Sequence, residues 1–144
     1  MNRRRTHSIL LFALWIGFLG LFQNCAPVKE LTQEEKVMKD LEIAIEKTAG
    51  DLETLAESNR SCTTDSHCVA VVVGFKGCGG PRAYTYTSLN NDMATLQSLS
   101  TDLQNLERDH WNRSTGRVST CELVLPPSLA CQSGLCQAVP PQYP

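Results

Sequence analysis

The sequence predicts an α+β fold: a small disulfide-stabilised domain with a short antiparallel sheet and two amphipathic helices. Three observations carry this. Six of the seven cysteines fall between Cys62 and Cys136, two long stretches place apolar residues at alternating steps of three and four, and a β-branched run, Val69 to Val73, stands between cysteines. At 144 residues, with 42% hydrophobic residues and a net charge of −2, the chain has room for one small domain and not for a multidomain enzyme.

The first 24 residues form a region of their own. Arg3, Arg4 and Arg5 precede an uninterrupted apolar run from Ile9 to Phe22, the charged and hydrophobic regions of a secretory signal peptide spanning 1–24. As a helix at about 1.5 Å per residue this run reaches roughly 21 Å, short of the ~30 Å a membrane span must cross, which argues against a permanent transmembrane anchor. Without it the chain holds ten basic against fifteen acidic residues, and its aromatics are Phe75, Tyr84, Tyr86, Trp111 and Tyr143. An acidic balance with no cluster of Lys and Arg gives no basis for binding nucleic acid or an anionic surface.

Behind the run comes Leu21-Phe22-Gln23-Asn24-Cys25-Ala26-Pro27, which resembles the lipobox of bacterial lipoproteins, with Gln23 and Asn24 where that family usually carries small residues. The resemblance implies lipidation of the Cys25 sulfur, cleavage between Asn24 and Cys25, and acylation of the new amino group. Cleavage after Ala26 instead would leave Pro27 first, which ordinary signal peptidase disfavours. The implied product is bound to the membrane through its lipid anchor. One acyl chain holds a protein only reversibly, at about 0.8 kcal/mol per buried methylene, whereas three make the anchor effectively permanent. Ala26, in place of Asp, resembles lipoproteins sorted to the outer membrane.

Residues 25–31 read as a lipidated tether, followed by an amphipathic helix over 32–58. Thr32 and Glu35 have the spacing of a capping box. Met38, Leu41, Ile45, Leu52 and Leu55 form the stripe, with Thr48 in its gap and Gly50 weakening the centre. Two and a half heptads admit a coiled-coil oligomer, but packing onto the rest of the chain is the favoured reading.

The disulfide-stapled α+β domain is expected over 61–139, with 140–144 as a tail. Val69 to Val73 reads as a central strand ended by Gly74, Gly77 to Pro81 as a turn cluster, and Ala83 to Thr87 as a second strand with Tyr84 and Tyr86 on one face. The second helix starts near Ser88 or Asn90 and carries Leu89, Met93, Leu96, Leu99, Leu103, Leu106 and His110 along one side, ending before Gly116. Val118 to Leu125 reads as a strand stopped by Pro126 and Pro127, and Leu135 to Val139 as the last strand.

In a secreted chain, Cys62, Cys68, Cys78, Cys121, Cys131 and Cys136 are expected to form three disulfides. Two schemes are physically attractive. Local closure joins Cys62 to Cys68 and Cys131 to Cys136; a clasp joins Cys62 to Cys131 and Cys68 to Cys136. Both leave Cys78 with Cys121, a bridge expected to close the longest loop and to stabilise most, by about 4 kcal/mol. Zinc at His67 and Cys68 is disfavoured because neither C-x5-C nor C-x9-C is a zinc knuckle, and no C-x-x-C suggests redox work. No metal and no cofactor are expected.

The segments Ser61 to Cys68, Gly77 to Tyr84 and Ala130 to Cys136 resemble a loose group of secreted bacterial proteins that carry C-x-x-D-x-x-C, CGGP-x-x-Y and C-x-x-G-x-C around a helical insert. That resemblance implies a compact disulfide domain and brings no activity with it. Nor do the residues suggest catalysis. His110 lies on an apolar stripe beside Trp111 and reads as a core or rim histidine, while Asp65 reads as an Asx-turn residue shaping the loop between two cysteines. Asn112-Arg113-Ser114 matches a glycosylation sequon, without meaning in a bacterial lipoprotein. The functional expectation is a non-enzymatic envelope lipoprotein with a structural or binding role and an envelope protein as its possible partner. The alternative is a protease inhibitor presenting Lys76, Arg82 and Tyr84 on the Lys76–Tyr84 loop, weighed against a plain structural turn.

Overall fold

A computed structural model describes residues 30–140. The apolar run, Cys25 and residues 141–144 of the tail lie outside them. The elements run α1 (Gln33–Ser58), a 3-10 turn (Asp65–His67), β1 (Cys68–Val73), β2 (Ala83–Ser88), α2 (Met93–Arg113), β3 (Ser128–Gln132) and β4 (Leu135–Val139). This is an α+β architecture with three disulfides.

α1 starts where its sequence can satisfy the free N–H groups of a first turn. Thr32 caps it, accepting from the Glu35 N–H while its own N–H donates to the Glu35 carboxylate at 2.8 Å. α2 starts later than its apolar stripe suggests, because Asp92, not Ser88 or Asn90, supplies the cap, accepting from the Thr95 N–H at 3.0 Å. Leu89 is consequently outside the helix and exposed.

The two caps make helix stability pH-dependent in a known direction. The Thr32 N–H, and then its hydroxyl, holds the Glu35 carboxyl below its ordinary value of 4.5. The Thr95 hydroxyl, and then its N–H, holds Asp92 below 3.8. A depressed folded-state pKa stabilises above the unfolded value and ceases to do so as pH falls through the folded one. Far-UV circular dichroism is therefore expected to show helix weakening on acidification below about pH 4. Asp92→Ala should destabilise α2 at pH 7 and flatten part of that acid response.

α1 packs on α2, with β1 against α2 and β2 against α1. The core is Leu52 and Ala56 from α1, Val71 from β1, and Leu96 and Leu103 from α2, with Ile45, Ala49, Leu55, Val73, Met93 and Leu99 around them. α1 thus belongs to the same compact unit as the disulfide region. Where α1 ends, buried polar groups find partners, as burial requires. The fully buried Thr87 donates its hydroxyl to Asn59 O at 3.0 Å and accepts from Asn91 Nδ2, which also donates to Leu55 O.

The single short sheet expected from the sequence is two separate ladders. β1 pairs antiparallel with β2, Cys68 opposite Ser88 and Val73 opposite Ala83, so β1 is one of two strands and not central to a larger sheet. β3 pairs with β4, Cys131 opposite Cys136. This hairpin packs against β1 and β2, but its backbone hydrogen bonds go to the segment before β1: Ser61 bridges to Leu135, Cys62 N–H donates to Gly134 O, and Cys136 N–H donates to Arg60 O.

The strand expected over Val118 to Leu125 does not form. Those residues are irregular, and the strand instead begins after the two prolines, at Ser128. Position relative to a partner decided this: Ser133 and Gly134, both with positive φ, make the two-residue turn that pairs β3 with β4.

The disulfides take the clasp arrangement: Cys62–Cys131, Cys68–Cys136 and Cys78–Cys121. Their sequence separations are 69, 68 and 43, so the clasp bridges, not Cys78–Cys121, close the longest loops. Asp65 also has a different task from the expected Asx-turn. Its carboxylate accepts from the Cys131 N–H at 2.7 Å and adds a hydrogen bond across the clasp.

Candidate functional site

The loop between β1 and β2 is moulded against α2. Gly74 has φ +66 and Gly77 lies against Trp111; a Cβ at the first would overlap the Glu107 carboxylate and at the second the indole ring. A turn within the loop is closed by Gly79 N–H to Lys76 O at 2.8 Å and Lys76 N–H to Gly80 O at 3.1 Å. Glu107, its side chain only 12% exposed, accepts from the Phe75 N–H and pairs with the Arg82 guanidinium at 3.0 Å. Two charge-assisted interactions on one carboxylate fasten both ends of the loop to α2.

The chain after α2 passes beside this loop and is held there by Cys78–Cys121 and by Lys76 Nζ, which donates to Glu122 O at 2.7 Å. Between α1, the loop, the C-terminal turns of α2 and residues 117–120 lies an open cleft of about 570 Å³. Ile45, Phe75 and Trp111 give it apolar surface, and Glu42, Glu46, Arg82, Arg117 and His110 give it charge and hydrogen-bonding groups.

His110 is the deepest of the titratable groups for which an ion pair is seen. Its side chain is 10% exposed and its Nε2 stands 3.4 Å from Glu42 Oε1, without a hydrogen-bond partner among the described residues.

Of the residues singled out in the sequence, Lys76 and Arg82 both line the cleft, each already engaged as described. Tyr84 does not line it; it sits in β2 opposite Val72. His67 is in the 3-10 turn, with Nδ1 3.3 Å from Thr63 Oγ1, and also lies outside the cleft lining. The sequence reading missed Glu42, Phe75 and Glu107. A signal for Glu107 existed: it stands one helical turn after Leu103, so a carboxylate falls beside an otherwise apolar stripe.

A second cleft of about 590 Å³ lies between the end of α1 and β4, where Arg60 stacks over the Tyr86 ring at 4.5 Å. Among the described residues no helix is long and apolar enough to cross a membrane. Comparison with known proteins finds no family model, no curated protein and no solved structure that matches the chain.

Proposed function

We propose that this chain is a lipid-anchored protein of a bacterial envelope, held at the outer membrane through Cys25, with a structural or binding role rather than a catalytic one. The observation that supports it most is the division of the cysteines. Six of the seven are consumed in three bridges, which suits an oxidising compartment, and the seventh directly follows the signal-like apolar run. The binding element is the cleft, whose rim is fastened by a disulfide and by the Glu107 ion pair, so little conformational freedom is lost when a partner seats there. An envelope protein or small ligand is the partner class that suits such a surface.

Cys25→Ser is expected to accumulate at precursor size and to lose incorporation of labelled fatty acid; normal maturation of that variant would remove the proposal. The inhibitor alternative draws support from the exposed, disulfide-pinned turn at Gly79 and Gly80. It asks Arg82 to leave Glu107 and enter a protease pocket. Titrating a trypsin-like protease with the protein distinguishes the two, with no inhibition expected at micromolar concentration.

A further inference from the structure

The separation of His110 from Glu42 is informative. At 3.4 Å it is too long for a good N–H···O hydrogen bond, which clusters at about 2.9–3.0 Å. It does match the spacing of two donors on one ion, because nitrogen and oxygen ligands each about 2.0–2.1 Å from a tetrahedral metal stand about 3.3–3.4 Å apart. The imidazole is nine-tenths buried, its Nε2 is sealed from solvent and unpartnered among the described residues, and it faces a carboxylate that is 61% exposed. A second carboxylate, Glu46, lies one helical turn along α1 and lines the same cleft. Glu46 enters no ion pair among the described residues, whereas Glu107 is committed to Arg82.

We propose that His110 Nε2, Glu42 and Glu46 bind a divalent transition-metal ion of the zinc class in this cleft. A neutral imidazole and two carboxylates balance the ion's charge, and three protein donors leave a fourth position for water or an exogenous ligand. Glu42 supplies one oxygen at the spacing already present; Glu46 does not stand within 4.8 Å of both other donors and completes the set only when its side chain rotates toward them. Among the described residues the three ligand atoms that already stand within 4.8 Å of one another are the sulfurs of Cys62, Cys68 and Cys136, which offer no thiolate because all three are in disulfides.

The test uses the full chain in detergent, with disulfides intact, in a His7→Ala, His67→Ala background, so that His110 is the sole histidine. Titration with Co²⁺ should give the visible absorption of a tetrahedral ion at one equivalent, displaced by Zn²⁺. His110→Gln should abolish the signal. Glu42→Gln should weaken binding at least about tenfold and Glu46→Gln should act in the same direction. The exposed Glu42 side chain makes Glu42→Gln the decisive variant, with an unchanged far-UV spectrum as its control. Absence of saturable binding up to about millimolar metal, or binding unaffected by Glu42→Gln, overturns the proposal.

Discussion

Replacing Cys68 and Cys136 together by alanine is expected to lower the unfolding free energy by about 2–5 kcal/mol, the usual loss when a native bridge is removed from a small domain. The effect should be at the upper end of that range, because the bridge joins residues 68 apart in sequence and Cys136 is 1% exposed, so a small void replaces buried sulfur. Removing Cys78 and Cys121 should cost less: their separation is 43, and both residues are exposed. Urea unfolding of the paired variants, followed by circular dichroism, measures the order. A larger loss for Cys78 and Cys121 would show that chain entropy and burial are not what ranks these bridges.

Leu103→Ala is expected to cost about 2–5 kcal/mol, the range for deleting a large buried aliphatic side chain. Leu103 is fully buried in the core formed by Leu52, Ala56, Val71 and Leu96, where neither rigid helix can close the gap without moving the other. Leu106→Ala, on a half-buried position of the same helix, should cost less than half as much. Thermal unfolding of both variants checks this, and equal losses would mean that the core is not centred where α1 and α2 meet.

Local chemistry made much of this fold legible. The Thr32 and Glu35 pair announces the start of α1 because its hydrogen bonds lie within one turn, and the β-branched run announces β1 because its partner is the next strand, reached through the glycine-rich loop 74–82. What escaped depends on distant partners. Val118, Leu123 and Leu125 have strand-like residue types, yet no edge lies beside them and they are left exposed. Ser128–Gln132, with weaker strand composition, pairs because the Ser133-Gly134 turn folds it onto β4. The cleft was half visible for the same reason. Lys76 and Arg82 share one loop, whereas Glu42 reaches His110 only through the packing of α1 on α2, which no local pattern encodes.

The clasp also sets a schedule for the growing chain. A polypeptide that emerges with its N-terminus first presents Cys62, Cys68 and Cys78 well before Cys131 and Cys136, so the first sulfurs able to meet are not native partners. Cys62 and Cys68 are only six residues apart and would pair early. Correct assembly therefore waits for the last hairpin and calls for a catalyst that reshuffles premature bridges, since uncatalysed exchange takes minutes to hours. For this protein, the final dozen described residues decide whether the first strand is held in place, and a chain shortened ahead of Cys131 would leave Cys62 and Cys68 to each other.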